Sequence, residues 1–489
     1  MSDSTVIIVL GASGDLAKKK TFPALFGVFK DNFMPPNTFI LGYARSEMDR
    51  SSFHDRFSKN LTKNDQDKGK VPQFLDLCEY VRGSYDKAED FKNLNKEIEK
   101  REGGSKRRRI FYLALPPSVY GDVAKGLREH CYCEGGQNRL VIEKPFGFDT
   151  ESSNKLGKQL SSLWSEEEIY RIDHYLGKEM VKNIIPLRFA NVFFGTVWNR
   201  QSIDNVQITF KEPFGTEGRG GYFDEFGIIR DVIQNHLIQV LCYLAMEKPL
   251  SLDAEHVRDE KVKVLKCIHP LKEDDILVGQ YTKSLDGQKP GYRDDEGVKK
   301  DSNAPTFAAL VLHIDNDRWS GVPFIFKSGK ALEEHKVEVR IQFQECPGNI
   351  FPGVSRNELV IRLQPNEAVY VKFQNKLPGL EMIPVVTELD LTYKERFPNQ
   401  RIPDAYEALL LDVLNNNHSN FVRDDELEAA WEIFTPILHK IDANEITCEP
   451  YPYGSRGPSS LSAFVEKHGY KRDTQPYDWN DIKAQQGKL

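Results

Sequence analysis

A short run near position 173 combines four kinds of chemically active side chain. The run Arg171-Ile-Asp173-His174-Tyr175-Leu-Gly-Lys178 places a carboxylate, an imidazole, a phenol and an ammonium within six positions. His174, Tyr175 and Lys178 supply three hydrogen-bond donors of the kind that hold a phosphate monoester. The run therefore predicts a phosphate-binding turn. The alternative is a polar helix start with Lys178 in solvent.

A second group of acids and a histidine surrounds a glycine-rich loop. Glu212 precedes this loop, and Asp231 and His236 follow it on a predicted helix at Phe226–Leu244. Oxidation of a sugar hydroxyl needs a base for the O–H proton while hydride leaves the carbon. Histidine, with an ordinary pKa near ~6.5, suits that role at neutral pH. We therefore predict His236 as the base. The alternative is a core histidine of an apolar helix whose hydrogen-bonding groups are satisfied within the protein.

The five-residue spacing of Asp231 and His236 helps to identify the carboxylate that orients His236. On an α-helix of about 3.6 residues per turn, Asp231 and His236 are roughly 140° apart around the axis and do not share a face. We therefore expect the orienting carboxylate to come from elsewhere, with Asp173 as the candidate. Asp231 and Glu212 are then left to bind substrate hydroxyls.

A glycine-rich turn lies near the start of the chain. The β-rich run Val6–Leu10 leads into Gly11-Ala12-Ser13-Gly14-Asp15-Leu16-Ala17, and a predicted helix follows. Backbone N–H groups and the helix dipole at such a turn favour an anion, so the turn predicts a dinucleotide cradle. The spacing is G-x-x-G-x-x-A and not G-x-G-x-x-G, which leaves a bare tight turn as the alternative.

The end of the second predicted strand indicates which dinucleotide binds. Sites for NAD usually place an acid there to hold the ribose 2′-hydroxyl, whereas Thr38–Tyr43 is followed by Ala44, Arg45 and Ser46. An arginine binds a 2′-phosphate in a bidentate manner, so Arg45 predicts NADP. An ordinary solvated arginine is the alternative. Lys144 follows another strand at the same sheet edge, where it can bind a substrate hydroxyl or the nicotinamide region. An ordinary surface lysine is the alternative.

Two patterns of secondary structure position these residues. The first 145 residues alternate β-rich runs with helical patterns, which predicts a doubly wound parallel sheet of the Rossmann type. From about Thr196, β-rich runs follow one another with little helix between the last four, which predicts a mainly antiparallel sheet. The fold class is therefore α/β followed by a larger α+β domain.

Composition excludes several classes of protein. The 489 residues carry 66 Lys and Arg against 73 Asp and Glu, a net charge of −7 without an extended basic field, so we expect no nucleic-acid partner. The apolar runs are far shorter than the roughly 20 residues of a membrane helix, so no membrane association is expected. The first residues resemble no targeting signal, which predicts a cytoplasmic protein. The seven scattered cysteines predict neither disulfides nor a metal site.

Taken together, these motifs closely resemble those of the glucose-6-phosphate dehydrogenase family, eukaryotic and fungal in type. The resemblance runs from about residue 5 to the C-terminus, and the motifs that carry it, besides those above, are Glu143-Lys-Pro-Phe-Gly147, Gly218-Arg-Gly-Gly-Tyr-Phe-Asp224 and Tyr453-Gly-Ser-Arg-Gly-Pro458. It implies oxidation of glucose 6-phosphate at C1 to 6-phosphogluconolactone with hydride passed to NADP⁺, the first step of the oxidative pentose phosphate pathway.

The resemblance also implies roles for individual residues, with His236 as general base and Asp173 as its partner. The implied substrate residues are Lys20, Lys144, His174, Tyr175, Lys178, Glu212, Asp231, Lys330, Gln364 and His335, the last standing where animal members have an arginine. The implied cofactor residues are Gly11, Ala12, Ser13, Gly14, Asp15, Leu16, Ala17, Lys18, Arg45, Tyr120 and Lys144.

Some members of the family bind a second, structural NADP. The matching residues here are Lys327, Lys336, Arg340, Arg362, Tyr370, Lys372, Arg456 and Trp479, with Lys327 in place of an arginine. The resemblance further implies an NADP-binding domain over residues 1–173, a substrate-binding and dimerisation domain over residues 174–489, and a homodimer or homotetramer.

Two other functions compete with this interpretation. One is an NADP-dependent oxidoreductase of unphosphorylated sugars, of the glucose-fructose oxidoreductase type, which would not need the donors between His174 and Lys178. The other is a catalytically silent NADP-sensing protein, which would need the cradle but not Asp173 and His236 together. Fold alone does not separate the three.

Overall fold

The computed structural model describes residues 3–62, 64–103, 107–351 and 353–470, and the chain divides into two compact units. The first unit consists of Met1–Lys182, Met246–Lys263 and Arg401–Glu432. The second consists of Asn183–Ala245, Val264–Gln400 and Ile433–Leu489. The chain therefore returns twice to its first unit after leaving it.

The first unit is built on a parallel sheet. Its strands are β1 (Ser4–Leu10), β2 (Thr38–Ala44), β3 (Cys78–Arg82), β4 (Arg107–Leu113), β5 (Gln137–Glu143) and β6 (Ile169–Ile172). They lie side by side in the order β3-β2-β1-β4-β5-β6, and every pair is parallel. This is the strand order of a doubly wound dinucleotide-binding fold, which confirms the α/β prediction.

The second unit is built on a larger mixed sheet. Its strands are β7 (Ile203–Lys211), β8 (Ile276–Thr282), β9 (Phe307–His313), β10 (Pro323–Gly329), β11 (Lys336–Phe343), β12 (Glu358–Gln364), β13 (Ala368–Lys376), β14 (Pro384–Thr392) and β15 (Glu449–Pro452). The order is β14-β13-β12-β11-β7-β10-β9-β8-β15. Two pairs, β7 with β10 and β8 with β15, are parallel and the others antiparallel. The mainly antiparallel prediction is confirmed.

Helices connect and cover these sheets. They are α1 (Phe22–Lys30), α2 (Arg50–Leu61), α3 (Val71–Asp76), α4 (Ala88–Glu99), α5 (Tyr120–His130), α6 (Thr150–Ser161), α7 (Glu179–Lys182), α8 (Ile184–Phe189), α9 (Val192–Val197), α10 (Gly220–Ile228), α11 (Ile238–Ala245), α12 (Ala254–Lys266), α13 (Tyr393–Arg396), α14 (Ala405–Leu414), α15 (Asp424–Asp442) and α16 (Leu461–Lys467). Two π-helical segments, Ala17–Thr21 and Ile229–Leu237, precede α1 and α11. Among the described residues, no helix is long and apolar enough to span a membrane.

The core of the first unit includes a helix from late in the chain. Leu409 and Val413 of α14 are buried in one cluster with Phe22 and Leu25 of α1 and with Ile172 of β6. Each of these side chains is at most 1% exposed. Because α14 covers one side of this sheet, it also carries Tyr406 to the ends of the strands where the candidate site lies.

The large sheet of the second unit has one apolar and one polar face. Along β11, Val337, Val339 and Ile341 are buried, and they alternate with polar residues from Lys336 to Gln342. Successive side chains of a strand point to opposite faces, so this alternation separates an apolar face from a polar one. The polar face carries the cations described below.

Candidate functional site

The cradle predicted at the start of the chain is formed by backbone. Gly11 donates its N–H to the carbonyl of Tyr43 at 2.9 Å, and Gly14 donates to the carbonyl of Gly11 at 2.8 Å. Gly11 has φ of +81°, and a Cβ there would lie 2.1 Å from the carbonyl oxygen of Ala114. Only glycine fits this position, which leaves the turn open for the pyrophosphate of a dinucleotide.

Basic and aromatic side chains border the cradle at the end of β2. Arg45 is exposed, and its guanidinium lies 5.7 Å from the ring centroid of Tyr85. Arg56 of α2 donates to the carbonyl of Ser13, and the hydroxyls of Ser46 and Ser13 are 3.4 Å apart. Two arginines and two serine hydroxyls therefore border this side of the cradle.

Beside the cradle, the side chain of Asp15 is exposed. Its carboxylate forms an ion pair of 2.8 Å with Lys19 of the π-helical segment Ala17–Thr21. The hydrogen bond from Lys19 holds the pKa of the Asp15 carboxyl below its ordinary value. Lys18 and Lys20 lie on the same segment.

A buried acid precedes Lys144 at the end of β5. Glu143 is 4% exposed, and Tyr112 of β4 donates its hydroxyl to Glu143 Oε1 at 2.5 Å. Burial raises the pKa of Glu143 to about 7, against a lowering effect from the Tyr112 hydrogen bond and from Lys144. Tyr120 is fully buried and donates to the main-chain oxygen of Glu143 at 2.8 Å, which fixes the backbone that carries Lys144.

The run from Asp173 to Lys178 forms a tight turn after β6. Asp173 caps the turn, and its Oδ1 accepts the backbone N–H of Tyr175 at 2.9 Å. The ammonium of Lys178 lies 4.8 Å from the ring centroid of Tyr175, which is buried. This arrangement gathers an imidazole, a phenol and an ammonium over one turn, as the sequence predicts.

Tyr406 of α14 links this turn to the cofactor side of the first unit. Its ring stacks on the imidazole of His174, with centroids 5.8 Å apart and planes at 10°. The ammonium of Lys20 lies 5.9 Å from the same ring. His174, Lys20 and Lys178 therefore lie around two aromatic rings of the first unit, and two cations in this arrangement favour a phosphate.

His236 and Asp231 lie in the second unit on a helix that differs from the predicted one. The predicted α-helix Phe226–Leu244 is broken at Gly227, where φ is +63° and a Cβ would lie 2.8 Å from Pro305 Cδ. Residues Ile229–Leu237 then form a π-helix. Because π-helices bond residue i to i+5, side chains five apart lie one turn above each other. The α-helical spacing on which the prediction for Asp231 and His236 rests therefore does not hold in this segment.

Polar contacts hold the π-helix in place. Asn235 donates from Nδ2 to the carbonyl of Arg230 at 2.8 Å and accepts the backbone N–H of His236 on Oδ1 at 2.7 Å. Arg230 forms a bidentate ion pair with Asp442, at 2.6 and 3.1 Å. His236 is 3% exposed, so its position is fixed by packing as well as by these bonds.

Glu212 and Lys330 form a pair on neighbouring strand ends of the second unit. Lys330 Nζ donates to Glu212 Oε2 at 2.6 Å, and the two side chains are 13% and 18% exposed. The backbone of Lys330 is fixed by a bond from its N–H to Thr306 O and by one from the Tyr451 hydroxyl to its carbonyl. Two residues predicted to hold substrate are thus in direct contact.

The remaining predicted substrate residues lie at the ends of strands. Gln364 is the last residue of β12, is half-buried, and is opposite Val337 at the start of β11. His335 directly precedes β11 and is exposed.

The cations predicted for a second nucleotide lie on the polar face of the large sheet. Lys327 donates to Gln207 at 2.9 Å, and burial lowers its pKa to about 8. Four further cations have partners: Lys336 pairs with Glu334, Arg340 with Glu338 and Glu358, Lys372 with Glu358, and Arg362 with Tyr370. Arg456 is exposed, with a guanidinium nitrogen 3.9 Å from Glu333. Trp479 lies outside the described residues.

Several residues that border the predicted ones carry no clear sequence signal. Tyr406 and Tyr112 contact predicted residues but are more than 30 positions away in sequence from those they touch. Arg56 carries a weak signal, as one of the two arginines of the helix that follows β2 after the Asp49 cap. The others depend on the tertiary fold.

A doubly wound sheet with a glycine cradle after β1 and basic groups after β2 defines a dinucleotide-binding protein. Two family models match, the NAD-binding domain of glucose-6-phosphate dehydrogenase over residues 8–183 and its C-terminal domain over residues 185–479. The chain belongs to the glucose-6-phosphate dehydrogenase family.

Similar proteins extend along nearly the whole chain. A glucose-6-phosphate 1-dehydrogenase of Emericella nidulans is 58% identical, covering 98% of this chain and 94% of the relative. A cytoplasmic form from Arabidopsis thaliana is 53% identical over 97% of this chain and 93% of the relative. A solved glucose-6-phosphate dehydrogenase in complex with its substrate glucose 6-phosphate matches with a TM-score of 0.94 and 52% identity. The match covers 96% of this chain and 99% of that chain. The fungal resemblance seen in the sequence is confirmed.

Proposed function

We propose that this protein oxidises D-glucose 6-phosphate at C1 to 6-phospho-D-glucono-1,5-lactone with NADP⁺ as acceptor, the first step of the oxidative pentose phosphate pathway. The observation that carries the proposal is the turn after β6, where His174, Tyr175 and Lys178 gather three donors suited to a phosphate monoester. Membership of the family supports the same substrate and reaction.

The cradle residues fit NADP. A Cβ at Gly11 would fill the cradle, and the helical segment that starts after Gly14 places a helix N-terminus there, which favours a pyrophosphate. The residues proposed to hold the dinucleotide are Gly11, Ala12, Ser13, Gly14, Asp15, Leu16, Ala17, Lys18, Arg45, Tyr120 and Lys144. Arg45 and Arg56 would pair with the 2′-phosphate, which distinguishes NADP from NAD. When bound, the nicotinamide accepts the hydride that leaves C1.

In the proposed mechanism, His236 takes the proton of the C1 hydroxyl. Its imidazole is buried on the π-helix, so its position is set before substrate arrives. We propose that Asp173 stabilises the charged imidazole. Asp231 lies about one π-helical turn before His236, which makes it a second carboxylate to consider for that role. The Asp173→Asn and Asp231→Asn variants, compared by the pH profile of kcat, distinguish the two.

The other proposed substrate residues divide between the phosphate and the sugar. Those for the 6-phosphate are Lys20, His174, Tyr175, Lys178, Lys330, His335 and Gln364; those for the sugar are Lys144, Glu212 and Asp231. The Glu212 and Lys330 pair holds both side chains in fixed positions. We also propose a second, structural NADP on the polar face, held by Lys327, Lys336, Arg340, Arg362, Tyr370, Lys372, Arg456 and Trp479.

We propose residues 1–173 as the NADP-binding domain and residues 174–489 as the substrate-binding and dimerisation domain. Apolar side chains at and before the outer strand β14 are exposed, with Leu389 at 65% and Met382 at 68%. They support a homodimer or homotetramer that joins through the large sheet. We further propose a cytoplasmic location, as in the Arabidopsis relative.

The absorbance of reduced nicotinamide tests the function. We expect rapid reduction of NADP⁺ with glucose 6-phosphate, little with glucose, and a loss of several orders of magnitude in kcat for His236→Asn with binding retained. A comparable rate with glucose would indicate an oxidoreductase of unphosphorylated sugars. NADP binding without any turnover would indicate a sensing protein.

A further inference from the structure

Three metal-ligating side chains of the second unit lie together, and none of them is among the site residues described above. One ligand atom from each of Asp275, His313 and His468 lies within 4.8 Å of the other two. They come from the turn before β8, the end of β9 and the residue after α16. We propose that these three side chains form a binding site for Zn²⁺ or a similar divalent transition metal.

The sheet register places the first two ligands. In the antiparallel pair of β8 and β9, Ile276 is opposite Leu310, so the preceding Asp275 comes next to Val311. His313 lies two residues beyond Val311, and side chains two apart on a strand share a face. Asp275 and His313 are therefore brought to the same side of the sheet by strand pairing.

Helix packing places the third ligand. Val465 of α16 packs on Val311 and Ile325, together with Phe464. His468 follows Val465 by three residues and Phe464 by four, and residues at those spacings share one side of a helix. Its ring centroid lies 4.8 Å from that of Phe464, and its side chain is only 9% exposed. His468 is thus held against the sheet by the same contacts that dock α16.

The imidazole of His468 is oriented as a metal ligand. Its Nε2 lies 3.3 Å from the carbonyl oxygen of Asp274, and its Nδ1 lies 4.0 Å from Oδ1 of Asp275. A proton on Nε2 is donated to that carbonyl, which leaves the lone pair of Nδ1 facing the carboxylate. Histidines that bind metals commonly donate their other N–H to a backbone carbonyl in this way.

The spacing suits a shared ion better than a direct pair. A separation of 4.0 Å is too long for a hydrogen bond between His468 and Asp275. Two ligands of one tetrahedral zinc, each about 2.0–2.2 Å from the ion, lie about 3.4 Å apart. A movement of about an ångström by each side chain brings the ligand atoms to that separation. Two imidazoles and one carboxylate favour zinc, with water as the fourth ligand, over Mg²⁺ or Ca²⁺, which prefer oxygen.

A bound ion would attach the end of α16 to the turn before β8. Metal binding stabilises the folded arrangement that brings its ligands together. We therefore expect Zn²⁺ to raise the thermal midpoint of the protein through the docking of α16. The three ligands lie far apart in the sequence, so they form none of the short motifs by which metal sites are recognised.

Zinc binding to the full chain tests the proposal. The background is Cys346→Ser, since Cys346 is an exposed cysteine and thiolates bind zinc. In competition with a chromophoric chelator, we expect one Zn²⁺ per chain with a Kd of about 10 µM or tighter. His313→Ala and His468→Ala should each weaken binding at least about tenfold. His313 is exposed, so its removal changes a ligand and leaves the packing of α16 in place.

The matched control is His269→Ala. His269 is also exposed and lies 2.9 Å from Asp315, so it provides a histidine and carboxylate pair outside the proposed site. It should leave both zinc affinity and the zinc-dependent rise in thermal midpoint unchanged. The proposal is overturned if no stoichiometric zinc binds, or if His269→Ala weakens binding as much as His313→Ala does.

Discussion

At the scale of single residues, Glu143 is a buried carboxyl directly beside a proposed substrate residue. Burial raises its pKa from 4.5 to about 7, so the folded protein holds it protonated at a pH where the unfolded chain ionises it. The contribution of this group to the free energy of unfolding is therefore fully present below the unfolded pKa and is lost as pH rises through about 7. The loss reaches about 3 kcal/mol.

The variant Glu143→Gln tests this at the residue scale. Glutamine cannot ionise, and its carbonyl still accepts from Tyr112. We expect the free energy of unfolding of the variant, relative to the parent, to increase by about 2–3 kcal/mol between pH 5 and pH 8. Urea denaturation of the variant and the parent at both pH values measures this difference. Tyr112→Phe keeps the carboxyl but removes a hydrogen bond that lowers its pKa, so this variant should lose stability with rising pH at least as strongly as the parent does. An unchanged dependence in Glu143→Gln would contradict the assignment.

A second residue-scale prediction concerns Arg45. Its guanidinium is exposed at the end of β2, beside Tyr85. Since it would pair with the 2′-phosphate, Arg45→Ala should raise the KM for NADP⁺ by at least about tenfold and leave the KM for NAD⁺ within about twofold. Steady-state kinetics with both cofactors measure it. A variant that retains the parent's preference shows that Arg45 is an ordinary surface residue.

At the scale of elements, the turn between β1 and α1 depends on Gly11. In Gly11→Ala, the added Cβ meets the carbonyl of Ala114 at 2.1 Å in a backbone conformation that disfavours alanine. We expect a loss of at least about 2 kcal/mol and of measurable NADP binding. Gly135→Ala is the control, because its φ is +73° with nothing within 4 Å of the added atom. It should cost about 1 kcal/mol and keep NADP binding, as measured by denaturation and fluorescence titration.

The sequence predicts long, regularly patterned elements best. The predicted strand Thr38–Tyr43 matches β2 to within one residue, because apolar residues mark its length. The four-residue strand β6 and the outer strand β14 were missed, since β14 carries Glu388 and Asp390 among its apolar residues. The π-helix at His236 was also missed, because π-helical segments are rare and the apolar residues around His236 were assigned to the ordinary α-helical period.

The candidate site was predictable to a similar degree. Motifs that are continuous in sequence, such as the cradle and the turn at Asp173, indicate their own geometry through glycine and capping. Tyr406 reaches His174 only because α14 packs on α1, and no local pattern over 230 residues encodes that contact. Residues that complete a site across such distances depend on packing, which a single sequence does not reveal.

At the scale of the whole molecule, β14 forms the outer edge of the large sheet among the described strands. Its Leu389 is 65% exposed, and exposed apolar edges mark association surfaces. We expect Leu389→Asp to weaken self-association at least about tenfold, as measured by sedimentation velocity. Leu250→Asp is the control, since Leu250 is 85% exposed and lies in the first unit. Equal effects of the two substitutions would contradict the assignment of this edge.

The discontinuous first unit also has a consequence for synthesis on the ribosome. Its sheet is complete once Ile172 has emerged, but the helix that buries Phe22 and Leu25 begins at Ala405. At a translation rate of about 5–20 residues per second, the wait is roughly ten to fifty seconds. During that interval the nascent sheet exposes an apolar side. Nascent chains of this protein should therefore bind holdase chaperones until residues 405–414 leave the exit tunnel.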